Sequence, residues 1–125
     1  MLSTLLQVAL GGAIGASVRY LTSVVAMRLM GPGYPWGTLT VNVVGSFLMG
    51  VLVVVLAQKG GMKAAPFLMT GILGGFTTFS AFSLDAFTLY ERGETGAAVT
   101  YVIASVTLSL AAIVVGVLVA RGLTQ

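Results

Sequence analysis

Thirteen residues carry the densest chemistry in this 125-residue chain: Gly71 to Ser83, GILGGFTTFSAFS. Three glycines, two threonines, two serines and three phenylalanines fall inside an apolar stretch where an unbroken helix is expected. A helix interrupted there splits into two halves. The first ends on free carbonyls and the second begins on free N–H groups, negative and positive in character respectively. Carbonyls of Gly74 and Thr77 are therefore candidates to hold a cation, with anion-binding donors just beyond them. Phe79 and Phe82 are three apart and share a helical face. An aromatic ring is negative on its face and positive at its edge. The two rings either pack as ordinary core or turn their edges toward a small anion.

Other polar residues recur at helical spacing. Thr38, Asn42 and Ser46 lie four apart on one face. Asn42 either glues helices together or offers amide N–H groups to an anion. Tyr101, Ser105 and Ser109 form a second stripe, again four apart. Uncharged hydroxyls in such a stripe serve interhelical hydrogen bonds or a track for a partly dehydrated ion. Two ionisable residues fall inside apolar segments, Arg19 and Asp85. Intramembrane charges mark functional positions by default. Arg19 either snorkels to the interface or attracts anions from a vestibule. Asp85 is too short to snorkel far and must face a partner or water.

These residues need apolar elements to position them. The chain is 58% hydrophobic and 7% charged, against about 25% charged in soluble domains. It is an all-α integral membrane protein by composition. A span needs roughly 20 apolar residues, and four are predicted: about 2–30, 36–57, 66–90 and 97–120, one membrane domain with a break in the third span. Gly31-Pro32-Gly33, Lys59-Gly60-Gly61 and Glu91-Arg92-Gly93-Glu94 separate them. The N-terminal apolar run lacks a basic leader and reads as a retained first span. Backbone that leaves helical geometry in lipid must be hidden in protein or line a wet cavity, so the break at Gly74 to Thr78 marks a binding or conduction site.

Several classes are excluded. Histidine and cysteine are absent, which removes the commonest proton shuttles, thiolate chemistry and disulfides. Three acids and no nucleophile–base pair argue against an enzyme. The net charge of +3 is dispersed, so nucleic-acid binding has no support. Lys59, Lys63 and Arg121 fall on one side of the membrane, Arg28 and Arg92 on the other. That near-balance permits one weakly biased topology or insertion in both orientations. Small residues at Gly11 and Gly15, Ser46 and Gly50, and Gly71 and Gly75 permit close helix approach within or between subunits. Four thin spans do not readily enclose a pore, so size argues for an oligomer.

GGAIGASVRY (Gly11 to Tyr20), GTLTVNVVGSFLMG (Gly37 to Gly50) and GILGGFTTFSAFS resemble the signatures of the CrcB/Fluc fluoride channel family, in order and spacing along the whole chain. The resemblance implies an antiparallel dual-topology homodimer in a bacterial inner membrane. It implies two pores per dimer that passively export fluoride and lower its cytoplasmic level. It implies a structural sodium ion at the dimer centre, on carbonyls that align with Gly74 and Thr77. The implied fluoride-pore residues are Asn42, Phe79, Phe82, Tyr101, Ser105, Ser109 and Thr38. Arg19 aligns with a vestibule arginine, and Asp85 stands where a glutamate with an ion-relay or gating role is expected. Ala81 replaces a threonine of the usual run. A small dual-topology multidrug or cation transporter is the alternative, but it needs an acid in the first span, where this chain has only Arg19.

Overall fold

The computed structural model describes residues 1–124, which are helical apart from short connections. Helix α1 spans Leu2–Met30 and α2 spans Trp36–Gln58. The third span, Met62–Glu91, is composite. It opens with a 3₁₀ turn at Met62–Ala64 and a π-helical segment at Pro66–Leu73. A short α3 at Gly74–Phe76 follows, then a non-helical linker, then α4 at Ser80–Glu91. Helix α5 spans Thr95–Thr124. All four segments are long and apolar enough to cross a membrane. At 1.5 Å per residue, the 30 residues of α5 reach about 45 Å, well past a hydrocarbon core of about 30 Å.

The first span has its predicted limits, whereas α5 extends beyond 97–120 at both ends. Thr95 and Thr124 continue the helix where polarity alone suggested loop. The π-helical form of Pro66–Leu73 leaves no trace in residue spacing and was not anticipated. The connections turn on Gly31, Gly60 and Gly93, with φ of 78°, 69° and 80°, and among the described residues no non-glycine residue adopts a positive φ. Only glycine enters that region freely.

Glycine also sets the packing. A Cβ on Gly15 would collide with the Ile72 carbonyl oxygen, and one on Gly75 would lie 2.7 Å from the Gly12 carbonyl oxygen. So α1 rides backbone-to-backbone on the π segment and α3 of the same chain. Helices α2 and α5 repeat the device: a Cβ on Gly50 would strike the Ile113 carbonyl, and one on Gly116 the Phe47 carbonyl. In lipid this closeness replaces the hydrophobic drive that water would supply. Large apolar side chains are few in the buried interior. Phe82, Leu89, Ala98 and Tyr101 form the main cluster, with Tyr101 and Leu89 fully buried.

Candidate functional site

The third span breaks where Thr77 adopts extended backbone, φ −89° and ψ 161°. Side chains hold the break open. Asn42 on α2 pairs with both ends of Thr78. Its Oδ1 accepts from the Thr78 N–H at 2.8 Å, and its Nδ2 donates to the Thr78 carbonyl at 2.9 Å. The Thr78 hydroxyl accepts from the Ala81 N–H at 3.1 Å. Thr77 turns its N–H and its hydroxyl back onto the Leu73 carbonyl, each at 2.9 Å. Gly45 leaves the room required, since a Cβ there would strike the Thr77 methyl group.

In a continuous helix the N–H of Thr78 would serve the Gly74 carbonyl, and that of Ala81 the Thr77 carbonyl. Both donors are engaged elsewhere. The carbonyls of Gly74 and Thr77 thus lack their helical donors, and Gly74 is exposed on the surface of the chain. Carbonyl oxygens are hard donors and suit a hard cation.

A cleft of about 360 Å³ lies against the break. It gathers Asn42, Thr77, Phe79, Phe82, Ser105 and Ser109, all singled out by the sequence. Ser46 and Thr78 join them, and Met49, Val106, Leu110 and Ile113 complete an apolar wall. The Phe79 and Phe82 ring centres are 5.4 Å apart, with planes inclined by 53°. Phe82 is buried, while Phe79 is 76% exposed. The Ser105 hydroxyl is buried and has no hydrogen-bond partner. An unsatisfied buried hydroxyl costs about 1–3 kcal/mol, so a hydrogen-bond acceptor or donor entering the cleft would be favoured there.

Thr38 and Asp85 sit apart from this cleft. They line a second cavity of about 190 Å³ with Ser23, Tyr34 and Trp36. Tyr101 forms the septum. Its hydroxyl donates to Asp85 Oδ2 at 3.2 Å, and its ring packs between Phe82 (5.3 Å) and Tyr34 (5.5 Å, edge-on at 87°). Desolvation pushes the Tyr34 phenol above its ordinary pKa, so it stays neutral at the cavity mouth. Arg19 lines neither cavity. Its Nε donates to the Gly75 carbonyl at 3.0 Å, so the guanidinium is anchored beside the break. Arg19 and Asp85 engage different groups.

Asn42 narrows one expectation. It was open to gluing helices or to offering amide N–H groups to an anion; it ties α2 to the third span, and one of its two N–H groups is committed to the Thr78 carbonyl. Thr78 and Gly45 were missed as determinants of the break. The Thr-Thr pair after two glycines was a signal for the first, and Gly45, one turn from Asn42's neighbours, for the second.

The family model described as CrcB-like protein, Camphor Resistance (CrcB), matches residues 6–117. The chain belongs to the CrcB family. A CrcB relative from Cereibacter sphaeroides, named fluoride-specific ion channel FluC, is 70% identical over 122 residues, covering 98% of each chain. One of the same name from Paracoccus denitrificans is 58% identical over 123 residues, again with 98% of each chain covered. A third, from Mesorhizobium japonicum, is 53% identical over 120 residues, covering 95% of this chain and 97% of its own.

Proposed function

We propose that this chain is a fluoride-specific channel of a bacterial inner membrane, working as an antiparallel dual-topology homodimer with two pores. The observation that carries the reading is near-full-length identity of 70% to a relative named for that activity. The site chemistry agrees. Fluoride is small and strongly hydrated, and a narrow path must offer substitute donors. Asn42 keeps one amide N–H uncommitted, Ser105 holds a buried hydroxyl without a partner, and Ser109 stands one turn along on the same wall. Ring edges of Phe79 and Phe82 add weak positive character in a water-poor wall. Several weak donors allow release as well as entry. Tyr101 and Thr38 continue the polar line toward Asp85, the candidate relay at the far cavity. Arg19, fixed beside the break, supplies positive potential to the approach.

Gly74 and Thr77 would hold a structural sodium ion through their carbonyl oxygens, and the ion would add fixed positive charge between two copies of the break. The exposure of Gly74 supports a second copy facing it. The near-balance of basic residues, three against two, supports insertion in both orientations. The decisive experiment loads liposomes with fluoride or chloride and follows efflux with ion-selective electrodes. Rapid fluoride efflux with no chloride efflux is expected. Equal release of both ions, or proton-coupled uptake of a cationic drug, would overturn the reading.

A further inference from the structure

We propose that Thr78 and Asn42 create the cation site at the break, by withdrawing from the Gly74 and Thr77 carbonyls the two N–H groups that would otherwise occupy them. The inference rests on the sodium reading above and deepens it. A carbonyl in a helix is a poor cation ligand because its own N–H donor, four residues on, already holds it. Two carbonyls three residues apart can be freed by unwinding a long segment or by redirecting two N–H groups. This chain unwinds only the short linker at Thr77 to Phe79 and has side chains take the two N–H groups. The Asn42 Oδ1 takes the Thr78 N–H at 2.8 Å, which frees Gly74. The Thr78 Oγ1 takes the Ala81 N–H at 3.1 Å, which frees Thr77. Neither side chain is itself a ligand in this scheme. Each is a positioning residue acting through one backbone N–H. Asn42 also borders the cleft, so the cation site and the anion path share one amide. By linkage, whatever effect occupancy of one has on affinity at the other is reciprocal.

Thr78→Val removes the acceptor with little change of volume. The Ala81 N–H then has no acceptor unless the extended linker at Thr77 winds back into helix and returns it to the Thr77 carbonyl, and sodium loses a ligand. Thr78→Ser retains the acceptor. The decisive variant is Thr78→Val/Ala81→Pro. Proline has no N–H and is tolerated in the first turn of a helix, where Ala81 stands. The Thr77 carbonyl then stays free despite the lost hydroxyl.

The readout is thermal unfolding of the purified full-length protein in detergent, titrated with sodium against N-methylglucamine, without reference to flux. Wild type and Thr78→Ser should be stabilised by sodium at similar concentrations. Thr78→Val should need at least about tenfold more, and the Thr78→Val/Ala81→Pro protein should recover most of that loss. An unchanged sodium response in Thr78→Val, or no recovery in the double variant, overturns the inference and leaves the sodium reading standing. Wild type without any sodium-specific stabilisation overturns both. Should Thr78→Val not fold, Asn42 gives the same comparison at Gly74. Asn42→Asp keeps the acceptor for the Thr78 N–H and should keep the sodium response. Asn42→Leu loses the acceptor and should weaken the response about tenfold, and equal responses in the two overturn the inference.

Discussion

Replacing Asn42 with aspartate separates its two roles. The variant keeps an oxygen for the Thr78 N–H but loses the Nδ2 donor that meets the Thr78 carbonyl at 2.9 Å. That hydrogen bond is worth about 1 kcal/mol net, and an oxygen facing the stranded carbonyl costs about 1–3 kcal/mol. The variant should therefore fold, with reduced stability. Its effect on an anion is larger. A unit negative charge about 4 Å from fluoride raises the anion's energy by about 4 kcal/mol at an effective dielectric of 20. At about 1.4 kcal/mol per tenfold, occupancy falls by about a thousandfold. Fluoride efflux from loaded liposomes, normalised to reconstituted protein, should drop by two to three orders of magnitude (about 10²–10³). Efflux within tenfold of wild type would show that Asn42 serves the backbone alone and that no anion approaches it.

Four further substitutions probe the rest. Phe79→Ile should abolish fluoride efflux while leaving the chain folded, because Phe79 is 76% exposed and contributes little packing within the chain; undiminished efflux removes the ring from the path. Ser105→Ala should lower efflux yet raise thermal stability by up to about 1 kcal/mol, since it deletes a buried hydroxyl without a partner; a stability loss would mean that the hydroxyl is bonded within the fold. Tyr101→Phe keeps the ring stack and loses only the hydrogen bond to Asp85 at 3.2 Å, so it should cost about 1 kcal/mol of stability and reduce efflux about fivefold. Gly15→Ala forces a methyl onto the Ile72 carbonyl and should cost about 1–3 kcal/mol, read as a fall in melting temperature against Gly96→Ala, whose added methyl meets nothing within 4 Å.

What sequence made legible follows from what sequence encodes locally. Spans were legible because apolar length is a one-dimensional property, and the first ends where its turn glycine stands. The break was legible because glycine and threonine cluster where an apolar helix should run. Its cause was not, because Asn42 and Thr78 lie 36 residues apart and meet only once α2 packs beside the third span. Arg19 shows the same limit: its partner is a backbone carbonyl 56 residues away, and a carbonyl has no signature in sequence. The spacing of Tyr101, Ser105 and Ser109 gives one stripe, open to interhelical hydrogen bonding or to an ion track. The fold divides it, with Ser105 and Ser109 on the cleft and Tyr101 as a septum before the cavity of Asp85.

The division explains how so apolar a chain can handle an ion. Every N–H in a membrane helix is normally consumed by its own carbonyls, so a site for an ion must come from side chains or from backbone released from that pairing. Strong charges would bind an anion too tightly to pass it on. The cleft uses both weaker sources together: an uncharged hydroxyl without a partner at Ser105, and a short unwound linker at Thr77 to Phe79 held by neutral side chains. Because the linker is held by Asn42 rather than by an ion pair, the Gly74 carbonyl and the proposed anion path share one amide. A substitution there that removes the acceptor oxygen should disturb both, and a substitution at Ser105 only one.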